Sequence, residues 1–130
     1  MGNLTQNFSG WEFICPCCGH RDVVPLVSMV LVEALQLLRD KIARPIRVTS
    51  GYRCLRYNRQ IRSKDTSQHI LGQAADILVD GMTPGDLARY AVCVREFQEG
   101  GIGVYVWGCH LDIRNIGRPV RWGVRWRGVK

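Results

Sequence analysis

The sequence predicts an α+β fold in which helices flank a small, mostly antiparallel sheet. Helical and strand-like segments are interleaved along the chain, and "GIGVYVW" and "CHLDIR" predict a hairpin closed at Gly108. The 130 residues are 46% hydrophobic and 22% charged, which is typical of one folded domain and not of a disordered chain. We therefore expect a single domain over residues 1–130, with a Cys-rich N-terminal segment at 1–24 and a basic tail at 114–130.

Two longer helices are predicted from apolar spacing and capping residues. The first runs from Pro25 to Ile42, because its leucines recur at helical intervals and proline suits a first helical position. The second covers "MTPGDLARYAVCVREFQEGG", with Thr83 as N-cap and two glycines at its end. Cys93 then lies in mid-helix on an apolar face, where we expect it in the core. A short helix is also expected in "LRYNRQIRS".

Strands are predicted in "PIRVTS" (45–50), in "AADILVD" (74–80), in the two arms of the hairpin and in "PVRWGVRW". Successive side chains of a strand point to opposite faces. Cys109 should therefore face away from its neighbour His110 and serve in packing.

The chain carries a net charge of +7 and has a pI of about 9.4, so it is attracted to polyanions. Nucleic acid, an anionic membrane surface and an anionic cell wall all qualify. The start of the sequence has no basic segment followed by an apolar core, and the longest apolar run, near residues 26–38, is too short and too polar to span a bilayer. We expect synthesis in the cytoplasm without a signal peptide.

The stretch "SQHILGQAADI" (67–77) places His69 and Asp76 seven residues apart, and His110 follows in "CHLDIR". Two imidazoles and one carboxylate, with a fourth position open to water, form a known ligand set of catalytic zinc. Zinc lowers the pKa of its bound water and polarises a carbonyl, which suits hydrolysis. The alternative is that each histidine is an ordinary core or surface residue with its own hydrogen-bond partners.

"SQHILGQAAD" fits the pattern Ser-x-His-x-x-Gly-x-Ala-x-Asp, and it lies between "VTSGYRCLRYN" and "GIGVYVWGCHLDIR". These motifs, with "RPVRWG" near the end, resemble the zinc D-Ala-D-Ala carboxypeptidases among the M15 peptidases, which act on peptidoglycan. The resemblance runs from about Trp11 to Gly123. It implies the hedgehog-like fold of that family, and the small size is similar to that of its phage endolysin members.

The resemblance implies a role for five residues, and strand geometry predicts one for a sixth. The expected zinc ligands are His69, Asp76 and His110. Arg53 matches an arginine that faces the substrate and the developing oxyanion, although it can also be an ordinary surface arginine. Ser67 matches a serine that lines the substrate side, and the alternative is a turn or N-cap residue. Asp112, two residues after His110 on the same strand face, is expected to orient that ligand.

The general base is where the chain departs from the family pattern. Several members carry Glu or Asp three residues before the last histidine, and here that position is Trp107. Tyr105, five residues before it, can donate a hydrogen bond to the transition state but is a poor base at neutral pH. Asp112 and Glu99 are weaker candidates. Because metal-activated water needs less help, activity is not excluded, but a binding-only protein remains an alternative.

The six cysteines include three in "CPCCGH". Cys15, Cys18 and Cys54, with His20, are candidates for a second, structural zinc site. A disulfide or plain buried thiols are the alternatives.

No acidic residue follows Asp112, and the tail combines two tryptophans with basic residues: Arg114, Arg118, Arg121, Arg125, Arg127 and Lys130. This composition fits binding to nucleic acid or to an anionic cell wall. The alternative is a strand whose basic face is merely solvated. With the resemblance, we expect a monomeric zinc hydrolase whose partners are peptidoglycan stem peptides and the anionic wall, not nucleic acid. A phage or prophage endolysin, reaching the wall after holin-type release or host lysis, fits best. The alternative is a catalytically silent wall-binding or virion-structural module that keeps the zinc fold.

Overall fold

A five-stranded sheet organises the protein, as seen in a computed structural model that describes residues 2–17 and 27–123. Its strands are β1 (Arg47–Ser50), β2 (Ala74–Leu78), β3 (Gly101–Val104), β4 (Cys109–Asp112) and β5 (Val120–Gly123). They lie in the order β1-β2-β4-β3-β5, and every neighbouring pair is antiparallel except β3 and β5. The predicted α+β fold with a mostly antiparallel sheet is therefore confirmed.

The helices are α1 (Met29–Ile42), α2 (Leu55–Gln60), α3 (Pro84–Ala91) and α4 (Arg95–Gln98). Helices α3 and α4 contact β3 and β4, and α1 packs against α3 and α4. Their apolar sides meet one face of the sheet in a core that includes Leu35, Leu38, Leu87, Phe97, Ala75, Ile77, Ile102 and Leu111. No helix within residues 2–17 and 27–123 is long and apolar enough to cross a membrane.

The register of β2 and β4 decides what the other face carries. Asp76 pairs with His110, and Ala74 pairs with Asp112. Because side chains alternate along a strand, these four residues share the face opposite the helices. The residues that alternate with them, such as Ile77, point into the core. The hairpin of β3 and β4 closes as predicted, with the Tyr105 N–H donating to the Gly108 carbonyl. Cys109 is fully buried on the core face, as expected.

The predicted start of the first helix is wrong. Helix α1 begins at Met29, and the preceding Ser28 is extended, with φ −66° and ψ 128°. The Ser28 N–H donates to the Gly72 carbonyl at 2.8 Å, and this bond holds the backbone out of the helix. Pro25, the predicted first position, lies outside the described residues.

The predicted second helix is interrupted, although Thr83 caps its start by accepting a hydrogen bond from the Asp86 N–H. Helix α3 ends at Ala91, and an extended Val94 precedes α4. In one continuous helix Phe97 would share a face with Tyr90 and Cys93, which are both exposed. The break turns Phe97 into the core. It also leaves Cys93 exposed, so the prediction that Cys93 is a core residue is wrong.

The N-terminal segment supports the loop that follows β1. A 3-10 helix, Gly10–Phe13, sits over this loop, and Phe13 is fully buried. The Tyr52 N–H donates to the Phe13 carbonyl, and a Cβ at Gly51 would lie 2.7 Å from the Phe13 Cα. This close approach requires glycine, and it fixes the backbone just before Arg53. The last predicted strand is present as β5, and residues 124–130 of the tail lie outside the described residues.

Candidate metal site

The side chains of His69, Asp76 and His110 converge on the sheet face opposite the helices. Asp76 Oδ1 lies 3.3 Å from His69 Nε2 and 3.1 Å from His110 Nδ1. All three residues are buried, with His69 only 2% exposed. They form the one group within residues 2–17 and 27–123 whose ligand atoms lie close enough together to hold a metal ion.

The outer hydrogen bonds of both imidazoles determine which nitrogen carries a proton. His69 Nδ1 lies 2.7 Å from the Gly51 carbonyl oxygen, which only accepts, so this nitrogen is the donor. His110 Nε2 lies 2.8 Å from Asp112 Oδ2 and is the donor for the same reason. In the neutral imidazoles, His69 Nε2 and His110 Nδ1 therefore turn their lone pairs towards Asp76 Oδ1. Three electron-pair donors thus converge in the arrangement that a cation requires.

The spacing of these donors fits zinc. Two ligand atoms bonded to a tetrahedral ion at about 2.0–2.1 Å lie about 3.3 Å from each other. The separations of 3.1 and 3.3 Å around Asp76 Oδ1 match this value. A backbone carbonyl and a carboxylate that orient the two histidines are typical outer partners of metal-binding imidazoles. The residues present thus fit a three-ligand metal site, and all three line the adjoining cleft.

Arg53 fixes the second oxygen of Asp76. Its Nη2 donates to Asp76 Oδ2 at 3.1 Å, and its Nε donates to Ser50 Oγ at 3.0 Å. Its Nη1 lies 3.4 Å from Asn58 Oδ1. The guanidinium is mostly buried and also lines the cleft. The structure therefore places Arg53 in contact with a candidate ligand and in the lining of the cleft.

Asp112 is fully buried and its carboxylate is saturated with donors. Oδ2 accepts from His110 Nε2 and from Arg114 Nη2, both at 2.8 Å. Oδ1 accepts from the Gly101 N–H and from the N–H and Nε of Arg114. A Cβ at Gly101 would lie 2.4 Å from Oδ2, so this strand position must be glycine for the carboxylate to fit. Asp112 contacts His110 in the way predicted for a residue that orients a ligand.

Electrostatics keep both carboxylates ionised. Burial alone raises the pKa of Asp76, but hydrogen bonds from His110 and His69 outweigh it and hold the pKa well below its ordinary value. Burial acts in the same way on Asp112, and its bonds to His110 and Arg114 hold its pKa low. Burial lowers the pKa of His110, but its hydrogen bonds to Asp112 and Asp76 together raise it by more. The net result is a pKa above the ordinary value. Burial, with nearby Asp76, raises the pKa of Cys109 to about 12, so its thiol stays protonated.

An aromatic cluster forms one wall of the cleft. The rings of Tyr105 and Trp107 are stacked, with centroids 4.7 Å apart, and Trp122 lies against His110 at 5.0 Å. Trp122 is placed over Gly103, where a Cβ would meet its ring at 2.6 Å. The Trp122 Nε1–H donates to the Tyr105 hydroxyl oxygen, so the Tyr105 hydrogen is available for an acceptor in the cleft. Trp107 is half exposed at the position where several family members carry the base.

The remaining candidates lie in two different places. Ser67 lines the cleft, and its hydroxyl accepts a hydrogen bond from the His69 N–H, which is the turn-capping alternative. Glu99 is exposed, pairs with Arg95 and does not line the cleft. The cleft encloses about 680 Å³, and Asp76 is the one carboxylate among the described residues that line it.

Asn58 and Trp122 are site residues that the sequence analysis did not identify. Asn58 is fully buried, contacts Arg53 through Oδ1 and donates from Nδ2 to the Lys64 carbonyl at 2.8 Å. The signal was present, because Asn58 is the last residue of the "VTSGYRCLRYN" segment that carried the resemblance. Trp122 lay in a tail for which we expected an anionic partner or a solvated strand, and its place over Gly103 depends on the parallel pairing of β5 with β3.

The second, cysteine-based site is only partly within the described residues. Cys15 Sγ accepts a hydrogen bond from the Cys54 N–H at 3.4 Å, and Cys54 Sγ accepts one from the Tyr57 N–H. Cys15 is a free thiol. Cys18 and His20, the other predicted members, lie outside the described residues, so this site stays a prediction.

The family model described as Peptidase M15 matches residues 6–112, and no match to the chain is found among curated proteins. The matched range includes Arg53, the three convergent ligands and Asp112, and it covers well over half of the chain. The protein therefore belongs to the Peptidase M15 family of metallopeptidases.

Proposed function

We propose that the protein is a zinc-dependent peptidase that hydrolyses peptide bonds of bacterial peptidoglycan. The observation that carries the proposal is the meeting of His69 Nε2, His110 Nδ1 and Asp76 Oδ1 beside an open cleft, in a chain of a metallopeptidase family. Zinc bound there would activate water and polarise the scissile carbonyl.

The surrounding residues supply orientation and charge stabilisation. Gly51 and Asp112 hold the two imidazoles in the tautomers that leave the inner nitrogens free to bind metal. Arg53 holds Asp76 with one N–H and keeps further N–H groups for the oxyanion that forms at the attacked carbonyl. Tyr105, whose hydroxyl already accepts from Trp122, donates its hydrogen to the same oxyanion or to the departing amine.

Peptidoglycan is the substrate that best combines the family resemblance with the charge of the chain. Wall polymers are anionic, and a net charge of +7 favours retention on them. The small size and basic character also fit a phage or prophage endolysin that reaches the wall after holin-type release or host lysis. This origin is part of the proposal and is supported by analogy alone.

The test is digestion of purified peptidoglycan by the zinc-loaded protein. New amine termini should appear with the wild type and should be lost with Asp76→Asn, because the amide cannot supply an anionic ligand. Asp80→Asn is the matched control, since Asp80 is almost fully exposed and remote from the cleft. Mass spectrometry of the fragments identifies the bond. Cleavage by Asp76→Asn at the wild-type rate would contradict the proposal.

A catalytically silent wall-binding or virion-structural module is the second candidate function. It is favoured by one observation: Trp107 stands at the base position, and the described part of the cleft has no carboxylate besides Asp76. Bound zinc and pelleting with peptidoglycan, without any new amine terminus from walls of several cross-link types, would establish this module and exclude the peptidase. Salt-dependent binding to DNA in preference to the wall would instead support a nucleic-acid partner.

A further inference from the structure

The cleft has a basic rim as well as its aromatic wall. Arg62 and Lys64 line it, in the loop between α2 and the turn that carries His69. Arg62 is exposed at the surface, and Lys64 is exposed as well. Their side chains stand at the opening of the cavity that contains the candidate metal ligands, where they can meet a peptide entering the cleft.

None of the described residues neutralises the charges of this rim. Arg53 is paired with Asp76, and Arg114 is paired with Asp112. The one acidic residue of the loop, Asp65, is held by Arg59 through two hydrogen bonds of 3.2 and 2.9 Å. Within residues 2–17 and 27–123, Arg62 and Lys64 form no ion pair. Of the arginine and lysine side chains that line the described part of the cleft, they are the two without an ion-pair partner.

Hydrogen bonds hold the loop that carries Arg62 and Lys64. Buried Asn58 donates from its side chain to the Lys64 carbonyl and accepts the Ser63 N–H at its own carbonyl. The Ser67 N–H donates to the same Lys64 carbonyl at 3.0 Å. Asn58 also contacts Arg53, so the rim is linked to the group that holds Asp76. A rim tied in this way presents its charges at a defined distance from the candidate metal ligands.

Arg62 adopts an unusual backbone conformation for its residue type. Its φ is +60°, just after the end of α2, where glycine or asparagine is the common choice. A glycine would fit this backbone with less strain. The arginine forms no ion pair with the described residues that would offset this strain.

We propose that Arg62 and Lys64 bind a carboxylate of the substrate beside the bond to be cut, so that the cleft selects acidic peptides. This inference rests on the proposed peptidase function and adds the substrate class. Carboxylates are matched by the planar fork of arginine and by the compact charge of lysine. The aromatic wall would contact the uncharged part of the same substrate.

The test compares two muropeptides that differ only in whether their carboxyl groups are free or converted to carboxamides. For the wild type, amidation should lower kcat/KM by about tenfold, the size expected for losing charge-assisted bonds at a partly exposed site. In Arg62→Gln/Lys64→Gln the two substrates should differ by less than about twofold. Lys41→Gln/Arg89→Gln removes the same charge at exposed positions outside the cleft and should keep the tenfold preference.

Two further variants separate recognition from folding. Arg62→Gly should leave the thermal midpoint unchanged or raise it, because glycine tolerates the backbone, while it weakens the preference for the free carboxylate. Arg62→Glu/Lys64→Glu should reverse the preference. Equal cleavage of both muropeptides by the wild type would overturn the inference while leaving the peptidase intact.

If the wild type cuts neither muropeptide, the proposed function fails, and binding followed by tryptophan fluorescence, to which Trp107 and Trp122 of the cleft contribute, still tests the rim. The free-carboxyl form should bind about tenfold more tightly than the amidated form. Equal binding would overturn the inference.

Discussion

Strands β2 and β4 carry two faces that are both buried but are stabilised by different interactions. On the helix side lie Ala75, Ile77, Cys109 and Leu111, all fully buried and apolar. On the other side, Asp76, His110 and Asp112 are 5%, 8% and 0% exposed. The apolar face is stabilised by area removed from water, which is not directional. The polar face is stable only because each atom has a particular partner.

This difference predicts how each face responds to substitution. A change on the apolar face costs free energy of unfolding in proportion to the volume lost, and it leaves the ligand geometry in place. On the polar face, a change of one atom leaves charged partners without compensation and alters the metal site. The two behaviours can be separated by experiment, beginning with the largest expected effect.

Asp112→Ala should lower the free energy of unfolding by about 3–5 kcal/mol, because it leaves His110, Arg114 and the Gly101 N–H without their buried acceptor. Denaturant unfolding of the metal-free protein measures this. The control is Asp65→Ala, which removes an exposed ion pair with Arg59 and should have a much smaller effect, because solvent screens that pair. Equal losses for the two variants would show that the network around Asp112 has no special role.

Leu111→Ala, one residue away on the other face, should cost about 2–4 kcal/mol through the cavity it leaves. Its zinc affinity, measured by competition with a chelator under conditions where the variant is folded, should stay within about twofold of the wild type. Asp112→Asn should instead weaken zinc binding by about 10–100-fold. Similar zinc affinities for the two variants would contradict the separation of the faces.

The pH dependence of stability should come from the polar face. The pKa values of Asp76 and Asp112 are lowered by folding, so their contribution is present above about pH 4 and is lost as pH falls further. The pKa of His110 is raised, so its contribution is present below about pH 6.5 and is lost as pH rises through the folded value. The metal-free protein should therefore be most stable between about pH 4 and 6.5. Asp112→Asn should flatten this profile, and an unchanged profile would refute the assignment.

The smallest expected effect on stability concerns Cys93, whose exposure can be compared with that of Cys109 by chemical labelling. Cys93 is exposed and should react with iodoacetamide in the native protein, whereas Cys109 is buried, with its pKa raised to about 12, and should not. Peptide mapping after labelling distinguishes them. Cys93→Ser should change the free energy of unfolding by less than about 0.5 kcal/mol. Labelling of Cys109 at the rate of Cys93 would mean that the hairpin opens.

Much of the fold follows from local signals. Thr83 caps α3, and alternation in "CHLDIR" places His110 and Cys109 on opposite faces, as predicted. The positions at which the helices begin and break could not be predicted from local signals, because they depend on tertiary contacts. Ser28 is held extended by the Gly72 carbonyl, and the break before Val94 exists so that Phe97 can reach the core. Neither partner is visible in the periodicity of the helix itself.

The convergence of the candidate ligands could be anticipated from residue type and order. The residues that hold these ligands in place could not. Asp76 and His110 meet because β2 and β4 pair in one register, and the sequence pattern determines only the alternation. Glycine at 101 and 103 was visible as a pattern, but its purpose, room for the Asp112 carboxylate and the Trp122 ring, depends on neighbours distant in sequence. The same holds for Asn58, whose side chain joins Arg53 to the loop of Lys64.

The most direct test of the central claim is the zinc content of the purified protein and of His110→Ala, measured by mass spectrometry of the metal per folded chain. His110→Ala removes one of three converging donors, and it should contain one equivalent less zinc than the wild type, while Asp80→Asn should equal the wild type. The difference between variants is decisive even if cysteines hold a further ion. A wild type without zinc after reconstitution, or a His110→Ala variant that retains the full amount, would contradict the assignment of this face as a metal site.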